Sequence, residues 1–153
     1  MGANVPRSKK LSGASLSLQP EPLVFFIDRS LGRKIVPGAL RRAGEEVRIH
    51  DEFFRPDAKD EVWLAEVGRQ GWVVLTKDTR IRYRAVETHA LLAAKVRAYV
   101  LTARGDLQGR EIAAIFVKAL PAIKRMATNT PPPFIAHVSR DGKVSIVKRG
   151  EAN

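Results

Sequence analysis

The chain has 153 residues, 44% hydrophobic and 28% charged content, no cysteine and a formal net charge of +11. That length and composition fit one soluble domain with a proper core, while the absence of cysteine excludes disulfides, thiolate zinc sites and a cysteine nucleophile together. No run approaches the roughly 20 apolar residues that span a bilayer, and no apolar stretch precedes Leu23 to form a signal peptide, so a cytoplasmic protein with no membrane partner is expected.

Residues 1–22 are polar, Ser-rich and basic, with Pro20 and Pro22 closing the segment; they read as a disordered tail ahead of a folded domain over 23–150. The apolar run Leu23-Val24-Phe25-Phe26-Ile27-Asp28 predicts a strand buried on both faces, followed by a helix over 32–43 that ends at Gly44. A short strand over Val47–His50, a loop over 51–56 and a helix from about 58 to 70 come next, the last stopped by Gly71, with Asp57 as its expected N-cap. Strand 72–76, a helical stretch from Tyr83 to Lys95 and a strand over Arg97–Leu101 follow. A helix over 108–127 contains Pro121, which is expected to kink or divide it because proline lacks the N–H and its ring clashes with the preceding turn. Thr130-Pro131-Pro132-Pro133 reads as a stiff linker. Asp141-Gly142 between the β-prone runs 134–140 and 143–149 signals a hairpin. Alternating strands and helices imply a mostly parallel sheet with helices on both faces and the hairpin at one edge.

Two of these strands run into aspartates, Asp28 and Asp78, at the carboxyl ends where open α/β sheets bind ligands. Each would cap a helix or make a turn if it served structure alone; in equivalent positions on two strands they also suit a cation, because a carboxylate at a buried strand end needs a partner. Asp60 and Glu61 open the helix after Pro56, where free N–H groups and the helix dipole favour acids, so capping and ligation both remain open for them. Three carboxylates from separate segments suit Mg²⁺ or Mn²⁺, hard ions with oxygen ligands that activate water for an in-line displacement at phosphorus. His50, His89 and His137 are scattered and make no zinc cluster, and Trp63 and Trp72 stand at core-like spacing.

Charge is unevenly spread. Residues 45–66 hold eight of the sixteen acids, whereas 67–153 hold sixteen Lys/Arg against six acids. A solvated surface would account for this, and so would a field that attracts a polyanion such as a nucleic acid. Lys77, Arg80, Arg82 and Arg84 adjoin Asp78, and Arg29 adjoins Asp28, so all five are candidates for phosphate contact; Ser30 and Thr76 are candidates to hydrogen-bond phosphate or metal-bound water.

Phe25-Phe26-Ile27-Asp28-Arg29-Ser30-Leu31-Gly32, then Asp57-Ala58-Lys59-Asp60-Glu61-Val62-Trp63-Leu64, Trp72-Val73-Val74-Leu75-Thr76-Lys77-Asp78 and Pro131-Pro132-Pro133-Phe134-Ile135-Ala136 resemble in order and spacing the blocks of PIN-like nucleases, most of all the VapC-like toxins of type II toxin–antitoxin pairs. The resemblance implies a three-layer α/β PIN-like fold and an endoribonuclease dependent on Mg²⁺ or Mn²⁺. Asp28, Asp60 and Asp78 would be catalytic ligands with Glu61 as a fourth, RNA the substrate, an antitoxin protein the partner, and a homodimer an assembly it allows. The family often adds an acid just after its third, where this chain reads Thr79-Arg80-Ile81-Arg82-Tyr83-Arg84, which leaves the second metal position open. Two rivals remain. A receiver-like phosphoacceptor domain wants an adjacent acidic pair after strand one, where Arg29 and Ser30 stand; a non-catalytic nucleic-acid binder would use the same basic surface.

Overall fold

The structure is a computed structural model that describes residues 22–150, so all but the last residue of the expected disordered tail lies outside the described residues. In chain order it contains β1 (Val24–Ile27), α1 (Ile35–Arg42), β2 (Glu46–Ile49), α2 (His50–Phe53), α3 (Asp60–Gln70), β3 (Val73–Thr76), α4 (Arg80–Tyr83), α5 (Ala85–Ala93), β4 (Arg97–Leu101), α6 (Gly109–Asn129), β5 (Phe134–Val138) and β6 (Val144–Arg149). The six strands form one sheet in the order β2-β1-β3-β4-β5-β6. The first five are parallel, and β6 turns back antiparallel on β5 at the edge, with Gly142 in the turn at φ +84°. This is the expected three-layer α/β architecture.

The core follows from the two-residue period of a strand, which sends successive side chains to opposite faces. Phe25, Ile27, Val73, Leu75, Tyr99, Phe134 and Ala136 point to one face and pack under α1 and α6. Phe26, Val74, Ala98, Val100 and Ile135 point to the other, under α3 and α5. Because both faces are covered, these strands are continuous apolar runs without alternation. Helices α3 and α5 approach so closely that a Cβ on Gly68 would lie 1.9 Å from the carbonyl oxygen of Ala94. Among the described residues no helix is long and apolar enough to cross a membrane.

Local chemistry moves several boundaries from their expected places. The chain after β1 first makes a 3₁₀ turn over Arg29–Leu31, capped by the Asp28 side chain and closed by Gly32 at φ +80°, so α1 starts at Ile35 rather than 32. Strand β2 ends at Ile49, and His50, expected as its last residue, begins a helical turn that runs into the expected loop, because the Glu52 carboxylate accepts the Ile49 N–H at 3.0 Å. Asp57 is not the cap of α3. It accepts from Arg55 Nε at 3.2 Å in the loop, and the extended Lys59 takes the N-cap position without a side-chain bond. The expected helix over 83–95 begins earlier and breaks in two at Arg84, whose backbone is extended (ψ 127°). Pro121 does not divide α6: it sits on the exposed side, while Phe116, Ala119, Leu120 and Ile123 anchor both halves to the sheet.

Candidate active site

Strand β1 has β2 on one side and β3 on the other, so the chain leaves it in opposite directions and a crevice opens beyond the carboxyl ends of β1 and β3. Asp28 is the first residue after β1 and Asp78 the second after β3. Asp28 is only 9% exposed. Its Oδ2 accepts from Ser30 Oγ at 2.6 Å, Thr76 Oγ1 at 2.8 Å and the Ser30 N–H at 3.3 Å. Thr76 Oγ1 in turn accepts the Asp78 N–H at 2.9 Å, and Ser30 Oγ accepts the Lys77 N–H at 3.1 Å. Two hydroxyls therefore fix one carboxylate oxygen and tie together the ends of two adjacent strands. Both hydroxyls donate to Asp28 in the folded chain, so their protons orient that carboxylate.

Asp78 is held from the other direction. Arg80 donates to it through Nε at 2.9 and 3.0 Å, through Nη2 at 2.5 Å and through its backbone N–H at 3.0 Å. That guanidinium keeps the Asp78 carboxyl below the usual carboxylate range, and Asp78 raises the pKa of Arg80 in return. Arg80 also feels the charges of Asp60 and Glu87, with which it lines a cleft of about 310 Å³ between α3 and α5. Asp60 is oriented by Trp63, whose Nε1 donates to its Oδ1 at 2.9 Å, and exposed Glu61 shares the cleft. Glu87 is an acid that sequence reasoning missed. Its place in the first turn of α5 was legible, but the break at Arg84 that turns it toward Arg80 was not.

The acids thus fall into two neighbourhoods around Arg80, Asp28 with Asp78 on one side and Asp60, Glu61 and Glu87 on the other. Among the described residues no three acidic, histidine or cysteine side chains stand together in a group able to hold one ion. The donor chemistry still fits a hard divalent cation. Asp28 is a buried carboxylate with no ion pair among the described residues, and Mg²⁺ characteristically takes one or two carboxylates, several waters and the phosphates of a substrate in place of a protein cage. Asp28 and Asp78 would hold such an ion, with Arg80 its competitor for Asp78.

The basic candidates are not equivalent. Arg29 reaches Asp51 at 3.5 Å and the carbonyl of Pro56 at 3.0 Å, Arg80 is committed to Asp78, and Arg84 stands 3.9 Å from Glu87. Lys77 is exposed and has no carboxylate partner among the described residues, and Arg82 belongs to α4. His50 is 3% exposed and packs against Phe26, Phe54 and Trp63, so burial lowers its pKa and its role is in the core.

Replacing Thr76 by Val keeps the shape but removes a donor to Asp28 and the acceptor for the Asp78 N–H. Outer partners of metal ligands are worth roughly ten- to hundred-fold in affinity, so Mn²⁺ binding by calorimetry should weaken by that factor in Thr76→Val. Unchanged affinity would leave the hydroxyl a purely structural link.

Residues 23–103 match the family described as PIN like domain. The chain is 35% identical over 115 residues to the Mycobacterium tuberculosis (strain ATCC 25618 / H37Rv) protein named "Putative ribonuclease VapC45", an alignment covering 72% of this chain and 82% of that one. No solved structure matches. The strand ends bearing Asp28 and Asp78, the helix start bearing Asp60 and strand β4 all lie inside the matched span, and on that ground the chain belongs to the PIN-like domain family, on its VapC-like branch.

Proposed function

We propose that this chain is an endoribonuclease that hydrolyses RNA phosphodiester bonds with the aid of Mg²⁺ or Mn²⁺, and the toxin of a toxin–antitoxin pair acting in the cytoplasm. The observation that supports it best is the buried Asp28 carboxylate, one oxygen fixed by Ser30 and Thr76, beside Asp78 at the point where the sheet opens. The relative's printed name, ribonuclease, points the same way. When bound, the cation would supply Lewis-acid stabilisation of the phosphoryl oxygens and lower the pKa of attacking water. The chain's own contribution is placement. Ser30 and Thr76 hold Asp28 in one orientation, Trp63 holds Asp60, and of the basic candidates Lys77, which no described carboxylate neutralises, is the first to set the RNA backbone in register, while Arg29, Arg80 and Arg84 can reach phosphate only by leaving their acidic partners. Phosphate contacts position the strand and carry no sequence information. An antitoxin would cover this same rim.

The direct test is cleavage of single-stranded RNA by purified protein. Cleavage should stop with EDTA and return with excess Mg²⁺ or Mn²⁺ but not with buffer that lacks a divalent ion. Cleavage that persists in EDTA would remove the metal from the proposal. The strand order is shared with phosphoacceptor domains, so incorporation of a phosphoryl group on Asp78 without any RNA cleavage would favour that reading instead.

A further inference from the structure

We propose that the cleft beside Asp78, over the carboxyl ends of β3, β4 and β5, is a subsite for one unstacked nucleotide of single-stranded RNA, with Tyr83 stacking on its base and Lys77 and Arg104 holding its phosphate; this rests on the ribonuclease reading above. The cleft has a volume of about 290 Å³ and is lined by Lys77, Thr79, Tyr83, Thr102, Arg104 and His137, among others. Lys77 and Thr79 flank Asp78 in the chain, so the cleft adjoins the carboxylates directly.

Its chemistry differs from that of the other clefts at this edge of the sheet. On the β2 side, Arg29 and Arg33 both pair with Asp51, at 3.5 and 3.1 Å. On the α3 side, Asp60, Glu61 and Glu87 surround Arg80. Among the described residues no carboxylate lines the Tyr83 cleft, and neither Lys77 nor Arg104 has a carboxylate partner. Its positive charge is therefore available to an anion from outside.

Tyr83 supplies the second requirement. It is 69% exposed, unlike Tyr99, which is buried and donates its hydroxyl to the Ile123 carbonyl. The short helix that presents Tyr83 is itself firmly placed: Ile81 is buried, and Thr88 Oγ1 donates to the Ile81 carbonyl at 2.6 Å. An exposed ring on a fixed support beside two unneutralised cations is what a base and its phosphate need. Stacking on an aromatic face accepts any base, but only one that is free of a duplex. The inference thus specifies an unpaired nucleotide at this cleft beside Asp78.

The experiment uses the full chain as Asp28→Asn, which should bind without cutting, and a fluorescently labelled single-stranded oligoribonucleotide read by anisotropy. Adding Tyr83→Ala should weaken binding roughly ten- to hundred-fold, whereas Tyr83→Phe should retain it. Arg104→Ala should flatten the slope of log K against log salt by about 0.7. An oligonucleotide with one abasic position should bind the Tyr83 protein weakly and lose no further affinity to Tyr83→Ala. Because Tyr83 is on the surface, an unchanged thermal midpoint shows that the variant is folded. If the Asp28→Asn parent binds RNA and the wild type cuts it while Tyr83→Ala and Arg104→Ala bind as tightly as the parent, the subsite is wrong and the nuclease reading stands. If the wild type neither binds nor cuts RNA, the nuclease reading fails first. If Tyr83→Ala loses an oligoglutamate peptide as much as RNA, regardless of the abasic position, the cleft is a protein-docking surface and the proposal is overturned.

Discussion

Replacing Asp28 and Asp78 together by Asn should abolish metal-dependent RNA cleavage while leaving the fold in place. Asparagine keeps the volume and can still accept from Ser30, Thr76 and Arg80, but it removes the two negative charges that would offset a divalent cation. Since even outer partners of metal ligands cost roughly ten- to hundred-fold, loss of both carboxylates should lower the rate by more than about a hundred-fold if they hold the ion. Mn²⁺ binding by calorimetry should fall below detection, which separates lost metal from a lost active conformation. The single Asp78→Asn change has a further signature. Arg80 holds the Asp78 pKa below its ordinary value of 3.8, so this carboxylate stabilises the folded chain fully above that pH and less as the pH falls through the lower folded value. Asp78→Asn should therefore flatten the acid limb of a stability–pH curve measured by urea unfolding. A double variant that cuts RNA at the wild-type rate would place the chemistry elsewhere.

Phe26→Ala should be the most destabilising single change in the α3/α5 layer. Phe26 is fully buried, with ring centroids 5.4 Å from Trp63, 5.9 Å from Phe54, 6.0 Å from Trp72 and 6.2 Å from His50. Truncating such a side chain costs roughly 3–5 kcal/mol in transfer and cavity terms, a large share of the roughly 5–15 kcal/mol that holds a domain folded. At this chain length that corresponds to a fall in the thermal midpoint of roughly 6–20 °C. Because Trp63 also orients Asp60, the loss should reach the site: near-ultraviolet circular dichroism from the tryptophans should weaken at temperatures where the chain is still folded. A midpoint within about 2 °C of wild type would mean that the aromatic layer repacks around the gap.

Two of the departures from the expected structure share a cause. These boundaries moved where a side chain reached a backbone group that periodicity does not register: Glu52 on the Ile49 N–H, and Asp28 on the Ser30 N–H. The basic run after Asp78 read as uniformly available to phosphate, yet Arg80 and Arg84 face acids in the folded chain and Lys77 does not. Glu87 joined the neighbourhood of Arg80 only because the chain breaks at Arg84.

The sequence by itself determined the alternation of elements, the mostly parallel sheet, the edge hairpin and the placement of Asp28 and Asp78 at strand ends. All of these follow from local signals: apolar runs of strand length, glycines that stop helices, an Asp-Gly turn. Only the tertiary structure decided the strand order, which makes β1 and β3 neighbours and so brings Asp28 within reach of Thr76. It also decided which cations are neutralised and which acids converge on Arg80. These are contacts between residues up to 48 apart in the chain, and no pattern of short period encodes a partner at that distance; the packing of helices on two faces of one sheet selects it.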